Sequence, residues 1–450
     1  MTNPPTFRIG SGAGYSGDRI DPAQDLAERG QLDALVFECL AERTIALAQL
    51  RRSADPQLGY DPLLRERMAA VLPACHARGT TIVSNMGAAN PLAGGHAVLA
   101  VARELGLHGH LTVGVVEGDD VLNWMLANNA PLLELPGQTV RDLGARLISA
   151  NAYLGADALL PALQAGAGVV IAGRVADPAL FLAPLMHHFG WDGADWEKMG
   201  RGTLVGHLLE CSAQVSGGYI ADPGFFDVPD LAHVGYPFAD VSADGSAVIG
   251  KLDGTGGRID RLTCTAQLLY EIEDPAAYLQ ADVVADFSQV RFEELGPDRV
   301  LANGAGGRAR PDTLKATLGY RDGFIGEGQI SYAGPGARAR GELALAVLRE
   351  RLRRLGWDGR EHRMELIGVG AMHGVALAGD AEPYEVRVRL ALRAETRAMA
   401  ERVAQEVEAL YLSGPAAGGG VTQSVREVVA AASALIPRTA VSPRMTLLEA

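Results

Sequence analysis

Between residues 7 and 172 the chain alternates short β-rich runs with longer helical stretches, and this alternation limits the fold more than any other feature. Candidate strands cover 7–9, 34–37, 80–84, 111–116, 146–149 and 169–172. Between them lie segments such as DPLLRERMAAVLPACHARG and GGHAVLAVARELG. The second places apolar residues at 98, 99, 101, 102 and 105, one helical face, and stops at Gly106, where a glycine can take the left-handed turn that ends a helix. Strands separated by helices pair in parallel, because a parallel crossover needs a dozen or more residues. The fold class expected is therefore α/β, with an open, doubly wound, mostly parallel sheet in the N-terminal part. A closed barrel is the alternative, but it would need eight such units.

Beyond about residue 236 the texture changes. DVSADGSAVIGKLDGTGG reads as a hairpin, and strands at 282–295, 362–370 and 384–394 are interleaved with helices at 341–356 and 395–414. This pattern predicts an α+β domain over 236–450 after an α/β domain over 1–235, with a soft boundary. A chain of 450 residues suits two domains, since a single core stops growing well before that length. The formal charge of −14 argues against a nucleic-acid partner, which needs a basic footprint. No run reaches the roughly 18 apolar residues of a membrane span. The start, MTNPPTFRIG, has neither a basic head nor an apolar core for export, and the four cysteines form no CxxC pair. These features predict a cytoplasmic protein with free thiols.

In a parallel sheet, ligands meet the carboxyl ends of the strands, where loops and helix N-termini converge. At those ends stand Asp18 and Arg19, then Glu38 and Glu42, Asn85 and Asn90, Asp119 and Asp120, Asn151, and finally Arg174 and Asp177. A buried Glu38 would hold its proton to higher pH and serve as a general acid or base, with Asp18 as an auxiliary carboxylate. Arg19 and Arg174 suit an anion, with Asp177 and Asn151 beside them, while Asn85 and Asn90 are amides able to steady an oxyanion. Each has a plainer reading: helix caps, internal ion pairs, or a solvated face for Glu38 and Glu42, four apart on a helix. Asp119 and Asp120 could hold Mg²⁺ or simply cap a helix, the cap being favoured; no other cofactor is called for.

GSGAGYSG allows a GxGxxG match through Gly12, Gly14 and Gly17, which leaves a nucleotide-dependent ligase or dehydrogenase open, although a tight turn touching a ligand fits better. Cys211 with His207 one turn upstream is a weak nucleophile motif. His108 and His110, and His187 and His188, lack the spaced partners of a zinc site. The glycine run 418–420 before Thr422, Ser424 and Arg426 reads as an anion-binding nest or a lid, and 255–261 allows a similar reading.

The blocks GAGYSGDRIDPAQDLAERG, LVFECLAERTIALAQ, SNMGAANP, VVEGDDV, ECSAQVSGGYIADP and TGGRIDRLTCTAQLLYEIEDPAAYLQADVVADF occur in order between Gly12 and Phe287. Together they resemble the acyclic terpene utilisation (AtuA-type) family. The resemblance implies a catabolic enzyme of branched or terpenoid carboxylates, free or as acyl-CoA thioesters. It also implies a separate small ferredoxin-like partner, because the aspartate-rich SGDKGD-like opening of the domain that many relatives carry is absent here. A hydratase or lyase step suits the polar groups at the strand ends, and a homo-oligomer is expected. The alternative from another class is a non-catalytic subunit that binds acyl ligands or assembles with that partner.

Overall fold

The segments ALVF at 34–37 and VVIA at 169–172 are apolar at every position, the mark of strands buried on both faces. In the computed structural model, which describes residues 6–449 apart from 108, 110 and 381, both are interior strands of a ten-stranded sheet. Contacts divide the chain into two units, one of residues 1–319 with 431–450 and one of Tyr320–Ala430.

The centre of the first unit is five parallel strands, β1 (Phe7–Ala13), β2 (Ala34–Phe37), β3 (Thr81–Ser84), β4 (Thr112–Glu117) and β6 (Val169–Ala172), in the order β1-β2-β3-β6-β4. β5 (Leu147–Ala152), expected as a sixth member, stays outside it: β4 pairs directly with β6, and β5 pairs with the long strand Thr313–Ala333. Beyond β1 the sheet continues antiparallel through β7 (Pro237–Val241), β8 (Ala247–Lys251) and the strands Arg299–Asn303 and Arg291–Gly296. On the other edge the strand Arg444–Glu449 pairs antiparallel with β4. Because β7 bonds to β1, the boundary expected near residue 235 gives way to the division at 319/320.

Helices α1 (Asp21–Arg29), α3 (Leu64–Arg78) and α4 (Pro91–Glu104) pack side by side on one face, sharing a core with Leu35, Phe37, Ile82 and Val115. α4 starts at an Asn90 cap followed by Pro91, and Gly106 beyond its end has φ +75°, as the sequence predicts. The helix Ala179–Phe189 packs across β1, β2 and β3 without joining that core, so it covers the opposite face. The chain steps one way from β1 to β4 and returns to β6. Loops leaving the neighbours β3 and β6 therefore depart to opposite faces, which opens a crevice at their carboxyl ends.

The second unit takes in the later part of strand Thr313–Ala333, helix Ala337–Arg354, strands His362–Ile367 and Glu385–Ala394, helix Arg397–Glu408 and the first part of strand Gly419–Pro437. In the sheet these four strands stand in the order second, third, first, fourth. This β-α-β-β-α-β arrangement is ferredoxin-like. Alternation along Glu385–Ala394 turns Val386, Val388, Leu390 and Leu392 onto the helices and leaves Arg387, Arg389 and Arg393 on the other face. The glycine run 418–420 opens a strand instead of forming a nest or lid, and Thr422 accepts a hydrogen bond from Arg387 Nη2 at 2.8 Å.

Candidate active site

β2 ends at Phe37 and β3 at Ser84, so Glu38 and Asn85 leave adjacent strands side by side. Both are buried. Glu38 Oε1 accepts from Asn85 Nδ2 and from the Leu40 amide, each at 2.9 Å, and Asn85 Oδ1 accepts from the Cys39 amide at 2.7 Å. Burial raises the Glu38 pKa well above the usual carboxylate range, and the nearby charge of Asp177 adds to the rise, against the opposing pull of Arg174.

Arg174 follows β6 and is 1% exposed. Its amide donates to Asp119 Oδ2 at 2.9 Å and its Nη2 to Asp177 Oδ1 at 2.7 Å, while the guanidinium lies 4.0 Å from the centre of the Tyr153 ring. Nε and Nη1 are buried and have no acceptor. A buried cation normally has its donors satisfied, so these two nitrogens mark an unfinished polar site. Asp177 has 34% of its side chain exposed. Its carboxyl is pushed up to about 7, first by burial and then by the charges of Glu210 and Glu42, although Arg174 pulls it down.

The exposed side of Asp177 faces a cavity of about 330 Å³ whose wall also includes Glu42, Tyr153, Glu271, Tyr278 and Lys315. Glu42, the first residue of α2 (Glu42–Ala54), accepts from Tyr153 Oη at 2.5 Å and from Lys315 Nζ at 3.0 Å. Burial alone would raise its pKa, but the Tyr153 bond and the charges of Arg174 and Lys315 bring it down to about 2. The site thus pairs a permanent carboxylate with one that titrates near neutrality, a separation suited to acid/base work.

The sequence profile of the acyclic terpene utilisation family protein AtuA matches residues 7–447. The chain belongs to this AtuA family. The match covers both units. No curated protein and no solved structure gives a match.

The other residues singled out at the strand ends of this AtuA family member have their own partners. Asp18 accepts from the amides of Gly14 and Arg19, each at 2.9 Å, and so closes the turn after β1. Arg19 is bonded to Asp21 and to the Ala232 carbonyl, so its guanidinium is committed there. Asn90 donates to the carbonyls of Pro56 and Leu58 at 2.9 and 2.7 Å, anchoring a loop. Asn151 Nδ2 donates to Asp119 Oδ2 at 2.8 Å, which makes it a support of the Arg174 turn.

Gly12 and Gly14 both sit where a side chain has no room. A Cβ would come within 2.7 Å of the Phe37 ring at the first and 2.6 Å of the Cys211 backbone at the second. In 255–261, Asp260 caps the helix Arg261–Leu268. Asp119 Oδ2 accepts from the Arg174 amide and from Asn151 Nδ2, while Asp120 caps the Leu122 amide at 3.1 Å, the helix-cap role the sequence favoured for it. Among the described residues no group of three or more His, Cys, Asp or Glu could hold a metal ion.

His207 is bound to Glu210 at 2.9 Å and faces the Leu268 carbonyl, and burial raises the Cys211 thiol pKa, so the pair lacks an activated nucleophile. His187 and His188 stand in the last turn of Ala179–Phe189, where His188 packs on Phe7 and Phe189. His108 and His110 lie outside the described residues. Among the described residues no helix is long and apolar enough to cross a membrane.

Tyr153 and Lys315 escaped the sequence reading. Tyr153 stands two residues after Asn151, within the NAYLGAD loop. Lys315 had no signal, because the strand that carries it reads as polar and glycine-rich.

Proposed function

We propose that the protein is a hydratase-type lyase of acyclic terpene utilisation, acting on a branched, unsaturated carboxylate or its acyl-CoA thioester. The observation that supports this most is Asp177. A carboxyl titrating near neutrality lies on the cavity wall, bonded to a buried guanidinium with two unused nitrogens. The ionised Asp177 takes a proton from water as the water oxygen bonds to the β-carbon. The double-bond electrons move toward the carbonyl, and the positive charge of the buried Arg174, behind Asp177, favours the enolate-like oxygen. Protonated Asp177 then gives its proton to the α-carbon, so that one water is added and the carboxylate is restored; dehydration is the reverse. Glu38 and Asp119 act behind Asp177 and Arg174, as positioning residues.

Hydration of branched enoyl-CoA substrates tests the reading. Asp177→Asn should lower kcat by about 10²- to 10⁴-fold with the fold intact by circular dichroism, and should remove the rise in wild-type activity with pH through about 7. A variant with near-wild-type turnover takes Asp177 out of the mechanism.

A further inference from the structure

A second cavity of about 330 Å³ lies beside the first. The two share Leu314 in their walls, and the consecutive residues Tyr153 and Leu154 line one each. Three arginines, Arg310, Arg438 and Arg444, line the second cavity, with Asp157 as its one acidic lining residue. Arg310 Nη1 donates to Asp157 at 3.0 Å. Arg438 is held differently: Nε donates to the Pro311 carbonyl at 2.7 Å and Nη2 to the Ala281 carbonyl. Neutral carbonyls orient that guanidinium without cancelling its charge, and both belong to residues in the wall of the first cavity. The buried Asp282 is also near, but both its oxygens accept from the Ala156 amide. Burial and the like charge of Arg310 disfavour the charged Arg438, a cost that a bound anion would relieve. Clustered guanidinium forks match the oxygens of phosphate groups.

We propose that the cavity of Arg310, Arg438 and Arg444 binds phosphate groups, and that they are carried by the substrate whose reacting end occupies the neighbouring cavity. The second half rests on the lyase reading; the binding does not. It selects a phosphate-bearing acyl conjugate over the free acid.

Isothermal titration of the full chain with coenzyme A, pyrophosphate and phosphate-free pantetheine tests this. Coenzyme A and pyrophosphate should bind competitively and pantetheine should not. Arg310→Ala and Arg444→Ala should each weaken both by about ten-fold or more, while Asp177→Asn leaves binding unchanged. Arg444, on the exposed edge strand, can be replaced without disturbing the carbonyl contacts of Arg438, so a correctly melting variant keeps the test clean. Absence of binding, or affinities unmoved in both arginine variants, overturns the site. Binding of pyrophosphate but not coenzyme A overturns the link to substrate. Coenzyme A bound through the arginines without hydration of any enoyl thioester supports the site and counts against the lyase reading alone.

Discussion

Asp119 is 4% exposed, and burial raises its carboxyl from the ordinary 3.8 to about 6 despite the two hydrogen bonds that favour its charge. Because the folded chain holds this proton more tightly than the unfolded chain, the stabilisation is complete below about pH 3.8 and is lost as pH rises through about 6. The full swing is about 3 kcal/mol, of which about 2 kcal/mol falls between about pH 4.5 and about pH 7.5. Asp119→Asn removes the titration. Both bonds, from Asn151 and from the Arg174 amide, go to Oδ2, so an amide oxygen placed there can accept them. Whatever constant cost the substitution brings, the stability of the variant relative to wild type should rise by about 2 kcal/mol across that window. Urea unfolding followed by tryptophan fluorescence reads it, since Trp124, Trp191 and Trp196 all lie in the first unit. A difference that stays flat with pH, or falls, refutes the claim that Asp119 is held under a desolvation penalty beneath Arg174.

Glu38→Gln should gain stability relative to wild type as pH rises above about 4.5, because burial makes the folded chain hold the Glu38 proton more tightly than the unfolded chain does, while an amide does not titrate and its oxygen can keep the Leu40 and Asn85 bonds. A relative stability that falls with pH in the same urea titration would show that the charged form is the one the fold needs. Gly14→Ala should destabilise by about 1–3 kcal/mol in a thermal melt, since its methyl would press on the Cys211 backbone, which has no side-chain freedom to yield. An unshifted melt would remove the packing role assigned to that glycine.

The sequence by itself determined the parallel strands and the edge where chemistry gathers. Runs such as ALVF and VVIA are local patterns, and parallel strands all point the same way, so Glu38, Asn85 and Arg174 had to emerge at one edge. The flanking caps and the Gly106 stop are equally local. Tertiary structure alone decided which of those residues became a site. It moved β5 out of the parallel set, bound Arg19 to the Ala232 carbonyl, and brought Lys315 to Glu42 across 273 residues of chain. It also set the proton affinities of Glu38, Asp119 and Asp177, because desolvation depends on the atoms that exclude water, and these come from segments distant in sequence. The strands Thr313–Ala333 and Gly419–Pro437 were hidden for the same reason: glycines and charges interrupt the first, the second begins polar and ends in the unbroken run VVAAASALI, and both become strands through pairing with neighbours.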